Sequence, residues 1–237
     1  MRKKYQCLFF ALLGLAPAGN AQLTRYQENY KVGYRDAQDG VIVPAMYDAG
    51  SDMTEGFAVV MRGSERGYID VRGREVITCR YQDASPFVHG LACVEQNGKW
   101  GFINTKGEWA IPPFFDNAFS FKNGLARVLT HGKWGMINEQ GEMKIPAVYA
   151  SLYDASEGLI AASLDGRQYG YINASGKTVI DFRFKLSQPF DESTRRAVVY
   201  LADGAYFINT HGEVLEKVPR RKEEEEREER GRGKRDR

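Results

Sequence analysis

One stretch of this chain is rewritten along its length, and that repetition limits what the chain can fold into. Gly98-Lys99-Trp100-Gly101-Phe102-Ile103-Asn104-Thr105-Lys106-Gly107 returns thirty-four residues later as Gly132-Lys133-Trp134-Gly135-Met136-Ile137-Asn138-Glu139-Gln140-Gly141. Weaker copies flank both. The glycine after the tryptophan keeps time: Gly33, Gly67, Gly101, Gly135 and Gly170 are spaced 34, 34, 34 and 35 apart, and Tyr206 takes that place in a last, degenerate copy. Self-similarity at a fixed period of this length is the mark of a repeat architecture.

Each copy encodes a hairpin. Trp100-Gly101-Phe102-Ile103 is short, aromatic and β-branched, as a strand is. Asn104-Thr105-Lys106-Gly107 then reads as a turn, with an Asn that caps it through its side chain and a glycine free to take positive φ. The same signal recurs as Asp70 to Gly73, Asn138 to Gly141, Asn173 to Gly176 and Asn209 to Gly212, and the first copy stretches it from Asp36 to Gly40. The return strand Trp109-Ala110-Ile111 meets Pro112-Pro113, with Pro44 and Pro146 at the matching place in other copies. Proline cannot donate to a sheet ladder, so this strand must end there or lie at an edge.

An aromatic follows at Tyr47, Tyr81, Phe115, Tyr149 and Phe184, and the first four precede a glycine by nine residues (Gly56, Gly90, Gly124, Gly158). That glycine opens a third strand such as Gly124-Leu125-Ala126-Arg127-Val128, whose small residues at Ala58, Ala92 and Ala126 imply close approach to a neighbouring layer. The stretch between, such as Asp116 to Asn123, reads as irregular or as a short helical turn. No segment of the array carries a sustained helical period with caps. The expected fold is all-β: a tandem array of about six units of ~34 residues between Val32 and Glu216, each a hairpin plus a third short strand. One copy alone cannot bury both sides of its aromatics, whereas stacked copies wall each other's cores. An open, twisted array is favoured over a closed, propeller-like ring. The period is short beside the roughly 40–45 residues of a four-stranded blade, and the end copies are the most degenerate, as caps are.

The pattern Gly-Lys-Trp-Gly-Phe-Ile-Asn-x-x-Gly, then Ile-Pro, an aromatic-Asp pair and Gly-Leu-Ala-x-Val, resembles the WG (or KWG) repeat of many bacterial proteins. The match is tightest in the third and fourth copies. Elsewhere Val32, Arg66, Tyr169 and Ala205 replace the tryptophan. The resemblance implies a β-rich repeat module and carries no catalytic residue with it.

The ends differ from the array. Met1-Arg2-Lys3-Lys4, an apolar run from Cys7 to Ala16 and small residues at Gly19 and Ala21 describe a secretory signal peptide over residues 1–21. The run is shorter than the roughly 20 residues of a membrane span. An uncleaved anchor is the alternative. The expected location is therefore periplasmic or secreted, with no transmembrane span in the mature chain. Residues 217–237, from Lys217 to Arg237, hold almost nothing to bury and read as a charged, disordered tail. Cys79 and Cys93 read first as two small, partly buried apolar residues; export would also permit them to oxidise, and the sequence leaves a disulfide open.

Chemistry is sparse. The net charge of +2, with signs mixed along most of the chain, argues against a dedicated nucleic-acid binder. His89, His131 and His211 sit at turns, in different phases of the repeat, without a placed nucleophile or orienting acid. Asp48 and Asp116 repeat after the aromatic and could pair as glycosidase carboxylates, though a turn or strand-end role fits them better. No phosphate loop, zinc spacing or calcium loop occurs. No catalytic, cofactor-binding or metal-binding residue is assigned, and no cofactor is expected.

The expected function is a non-catalytic interaction module that takes a protein or cell-envelope ligand through its repeat surface. The alternative is a carbohydrate-binding or weakly glycan-active protein using exposed aromatics and acids. Copy five departs most from the pattern, between Lys185 and Arg196, and that loop is the candidate for a special contact. If buried, Trp100 or Trp134 should each contribute roughly 3–5 kcal/mol.

Overall fold

The computed structural model describes residues 23–219. The expected leader, and the tail beyond residue 219, lie outside the described residues. Within them the chain is all-β and forms six antiparallel sheets, each a meander in chain order. The first has three strands, β1 (Thr24–Glu28), β2 (Lys31–Arg35) and β3 (Val41–Tyr47). The second holds β4 (Ala49–Gly50), β5 (Phe57–Arg62), β6 (Glu65–Asp70) and β7 (Glu75–Tyr81). The third holds β8 (Asp83–Ala84), β9 (Leu91–Gln96), β10 (Lys99–Asn104) and β11 (Trp109–Phe115). The fourth holds β12 (Asn117–Ala118), β13 (Ala126–Thr130), β14 (Lys133–Ile137) and β15 (Met143–Tyr149). The fifth holds β16 (Ser151–Leu152), β17 (Leu159–Ser163), β18 (Tyr169–Asn173) and β19 (Thr178–Phe184). The sixth holds β20 (Leu186–Ser187), β21 (Ala197–Leu201), β22 (Gly204–Ile208) and β23 (Val214–Lys217).

To the hairpin and third strand read from sequence, the structure adds a two-residue strand one corner residue beyond the repeat aromatic, so Asn117–Ala118 is strand and not a helical turn. It also shows where copies join. The hairpin β10–β11 belongs to the third sheet, while the third strand of that sequence copy, β13, belongs to the fourth. Each sequence copy therefore straddles two sheets, and the backbone ties every sheet to the next. The first sheet starts ahead of Val32, with β1 pairing along β2.

The return strands do not stop at proline. β3, β11 and β15 run through Pro44, Pro112 and Pro146 to the aromatic, and all three lie at the sheet edge. There the missing N–H costs no ladder bond. They also bulge. Trp100 lies opposite Phe115 and Phe102 opposite Ile111, so Gly101 faces three residues of β11. A Cβ on Gly101 would sit 2.6 Å from the Ile111 carbonyl oxygen and 2.8 Å from the Pro113 nitrogen, and on Gly135 2.7 Å from the Ile145 oxygen. The bulging backbone fills the space a side chain would need, which explains the glycine that marks the period. Its φ is not in the left-handed region, so the constraint is volume and not conformation. The sixth sheet confirms the link. Where Tyr206 replaces the glycine, Tyr206 pairs with Lys217 and Phe207 with Glu216 in plain register, without that bulge.

Turns follow the sequence reading. The Asn104 side-chain oxygen accepts the Lys106 N–H (2.9 Å) and the Glu108 N–H (3.1 Å), and Gly107 takes φ 78°. Asn97-Gly98 and His131-Gly132 both take positive φ in pairs, the two-residue turn whose twist suits a hairpin.

The core is divided into five layers, one between each successive pair of sheets. Each layer is filled from the preceding sheet by the residue after the marker glycine (Tyr34, Tyr68, Phe102, Met136, Tyr171), by an aliphatic (Val43, Ile77, Ile111, Ile145, Ile180) and by the repeat aromatic. The following sheet answers with one isoleucine (Ile69, Ile103, Ile137, Ile172, Ile208) and with small residues such as Ala58, Ala92 and Ala126, all but closed to solvent. The expected close approach is met. Tyr34, Tyr68 and Tyr171 also donate across the gap to the carbonyls of Ser51, Ser85 and Gln188 at 2.8–2.9 Å. Among the described residues no core layer joins the sixth sheet to the first, and the array is open.

Trp100 and Trp134 are only half-buried at the rims of their layers, so the deep anchor is the residue two places on. Cys79 borders the first layer and Cys93 lies within the third; both are free thiols, so the apolar reading of the pair holds.

Two measurements check this account. Phe102→Ala should lower the unfolding free energy by about 3–5 kcal/mol and Trp100→Ala by about half as much; equal losses would overturn the assignment of the deep anchor. Gly101→Ala should destabilise by roughly 1–3 kcal/mol through overpacking against β11. An unchanged melting temperature would contradict the steric origin of the marker glycine.

Candidate functional site

The two ends of the sheets differ. At one end lie the turns joining the second and third strands of each four-stranded sheet, together with the corners where the chain passes between sheets. Asp48 and Asp116 occupy two of these corners. The Asp48 carboxylate accepts the Lys31 ammonium (2.5 Å) and the Gly63 N–H (2.8 Å). Asp116 repeats the pattern with Lys99 (2.5 Å) and the His131 N–H (2.9 Å). Gln82 accepts the Gly98 N–H at the same place. These acids staple one hairpin to the next. The lysine hydrogen bond comes first among the contacts that hold both carboxyls below their ordinary range, the wrong direction for a proton donor.

The opposite end carries the loops that follow the two-residue strands. Four are alike. Thr54 and Phe57 exchange both backbone hydrogen bonds around Glu55 and Gly56, whose φ values are 51° and 83°. Val88 with Leu91, Lys122 with Leu125 and Ser156 with Leu159 repeat the two-residue turn. The sixth sheet breaks the rule: Asp191 pairs with Arg196, and Glu192 to Arg195 make a longer loop. Asp191 builds it, its Oδ1 accepting from the Ser193 hydroxyl (2.6 Å), the Thr194 N–H (2.8 Å), the Ser193 N–H and the Thr194 hydroxyl (both 3.0 Å). These bonds, the Ser193 hydroxyl foremost, hold its carboxyl down at about 2.

The long loop folds back over its neighbours. Arg195 Nε donates to Glu157 (2.8 Å), the Ser156 hydroxyl donates to the Phe190 carbonyl (2.6 Å), and Glu192 reaches Lys122 of the fourth sheet at 3.7 Å. Beneath it lies a groove of about 510 Å³, lined by Lys122, Arg127, Tyr153, Asp154, Ser156 and the run from Pro189 to Ser193. Loops of three successive sheets thus meet in one concavity. The departure at Lys185 to Arg196 was the signal for it in the sequence.

One wall of the groove is fixed by a pair that sequence reasoning missed. Arg127 is a charged residue at a strand position filled by Val59, Cys93, Ala161 and Val198 in other copies. Its Nε donates to Asp154 (2.6 Å), a second guanidinium nitrogen donates to the Leu152 carbonyl (2.9 Å), and the group lies 4.1 Å above the Phe119 ring. Three repeats earlier, Arg25 holds the Gly50 carbonyl (2.8 Å) and Asp52 (3.3 Å) in the same way. Where the arginine is absent the acid is absent too, replaced by Pro86, Ser120 and Pro189. The two changes pair only once the strands are in register.

With Arg127, Asp154 and Asp191 engaged, the groove offers ring edges, backbone carbonyls and a solvent-facing Lys122–Glu192 pair of little strength. That set can hold a ligand by shape and hydrogen bonding. Among the described residues no three His, Cys, Asp or Glu gather as a metal site, and no helix is long and apolar enough to cross a membrane. His89 and His131 take positive φ at turns, and His211 lies in the turn closed by Asn209.

Comparison with known proteins places the architecture. A search of curated protein sequences returned no match. Among solved structures, BamB from Moraxella catarrhalis is similar over 83% of this chain and 70% of its own, at 12% identity and TM-score 0.46. Kluyveromyces lactis Hsv2 is similar over 80% and 70%, at 11% identity and TM-score 0.49, and the WD40 β-propeller domain of Doa1 over 73% and 68%, at 11% and 0.39. Likeness at that level says nothing of a ligand. The WG containing repeat model, by contrast, matches residues 33–64, 67–100, 100–134, 134–167 and 169–201. With five consecutive repeats spanning most of its length, this chain belongs to the WG containing repeat family.

Proposed function

We propose that the chain is a non-catalytic interaction module, exported to the periplasm or beyond, that holds a protein partner in the groove between its fourth and sixth sheets. The observation that carries this reading is the loop from Asp191 to Arg196, which alone among the five loops of its kind is lengthened and reaches across two sheets. A lengthened, self-braced loop over a concavity is where a rigid scaffold places its contacts. The repeated positions support the reading from the other side, since they are consumed by turns, corner staples and core. Export rests on the basic and apolar pattern of residues 1–21. The glycan alternative is weakened because Asp48 and Asp116, its two acids, are each tied to a lysine and a backbone N–H.

The test compares the native chain with a variant in which Glu192 to Arg195 are replaced by Asn-Gly, restoring the two-residue turn of the other sheets. Both are immobilised and exposed in parallel to envelope proteins and to isolated cell-wall glycan. The expected result is a protein retained by the native chain and lost, at least about tenfold, from the shortened variant at equal melting temperature. Equal retention by both would remove the groove from the reading. Retention of glycan alone would replace a protein partner with a carbohydrate.

A further inference from the structure

The five core layers are built alike, and each contains one aliphatic from the edge strand of the preceding sheet and one isoleucine from the hairpin of the following sheet. The pairs are Val43 with Ile69, Ile77 with Ile103, Ile111 with Ile137, Ile145 with Ile172, and Ile180 with Ile208. The end sheets carry the unused halves. On the first sheet the isoleucine position is Arg35, stacked 4.1 Å over the Tyr26 ring with its Nε buried and, among the described residues, without a hydrogen-bond partner. On the sixth sheet the aliphatic position is Glu216, which is 61% exposed at its side chain and accepts a 2.8 Å bond from Arg196. Strand alternation puts Val198, Tyr200 and Phe207 on that same outer face, opposite Ala197, Val199 and Ile208.

A charge at each end would suffice to keep an open array soluble. The signs go further than that. In a sixth layer of the same construction, Arg35 and Glu216 would face each other in the place of two aliphatics, positive against negative. Among the described residues no core layer or hydrogen bond joins the two end sheets within one chain.

We propose that the outer face of the sixth sheet docks the first sheet of a second copy of this chain, with Glu216 set against Arg35, so that copies associate head to tail. The contact is heterologous, leaving a free face at each end of the assembly. The Arg35 Nε gains the acceptor it lacks, and Phe207 and Val198 gain the layer that Phe102 and Cys93 have inside the chain. This inference is independent of the groove, which lies on the loop end of the sheets.

Sedimentation of the purified chain over a concentration series tests it. The native chain should gain mass with concentration. Arg35→Glu should weaken association at least about tenfold by setting two carboxylates face to face, and Arg35→Gln should fall between. Glu216→Arg alone should be equally weak. The double variant R35E/E216R, and an equimolar mixture of the two single variants, should each recover association, since opposite charges again face each other. Melting temperatures verify that the variants fold, and the mixture tests complementarity even where one variant is less stable. A native chain that stays monomeric throughout would overturn the proposal and leave the two charges as caps. So would an R35E variant that associates like the native chain, or a failure of both recoveries.

Discussion

The whole fold depends on apolar side chains trapped between one sheet and the next. No sheet has an interior of its own. Phe102 and Ile103 are adjacent in the chain, yet they point to opposite faces and enter different layers, one shared with the fourth sheet and one with the second. Both are fully buried. A sheet removed from the array would lose cover on both sides at once, so the repeats stabilise one another through neighbours alone. The covalent offset works with this. Because each sequence copy places its hairpin in one sheet and its next strand in the following one, a layer is closed by chain connectivity as well as by packing.

That constraint explains which residues repeat. The marker glycine is fixed by the carbonyl of a bulging edge strand, and the bulge carries the chain past proline toward the aromatic that closes the layer. Tyr206 shows the dependence in reverse, since the register shift at the glycine position disappears with the glycine while the one between Phe207 and Ile208 remains. The corner acids and turn asparagines are fixed by backbone N–H groups that would otherwise lack acceptors. Such positions cannot vary freely, and the same residue types therefore recur every thirty-four residues.

Much of this was legible in the sequence because its causes are local. The turn opens on an Asn or Asp, three places before its glycine in all but the stretched first copy, and the glycine after a tryptophan is visible at any period. The two-residue strands were not legible, because two residues carry no periodicity. Nor was the division of copies between sheets, which depends on pairing register. Trp100 and Trp134, the most conspicuous side chains of the repeat, lie at layer rims, while the smaller Met136 and Ile137 are fully enclosed. Size advertised the motif without marking its depth. The Arg127–Asp154 pair escaped notice because its partners lie twenty-seven residues apart and become neighbours only across two sheets. The groove was legible as a departure from pattern near Lys185 to Arg196, but its walls at Lys122 and Tyr153 come from copies that keep the pattern.

The surface left free to vary follows by elimination among physical options. The two faces of every internal sheet are consumed by layers. The outer edges are poor templates for an added strand: Pro44, Pro112 and Pro146 lie in three of the six, and of the three that lack proline, β7 and β19 carry Arg80 and Arg183 while the short β23 ends in Glu216 and Lys217. One end of the sheets is occupied by short turns and by the corner staples of Asp48 and Asp116. The other end has loops whose sequence can change without disturbing a layer, since a two-residue turn and the longer Asp191 loop both deliver their strands to the same kind of sheet. Variation there is cheap and variation elsewhere is not. In an array held together by layers of one construction, the proposed partner contact falls to the loop that is unlike its fellows, and the proposed self-association to the charges that mark where the layers stop.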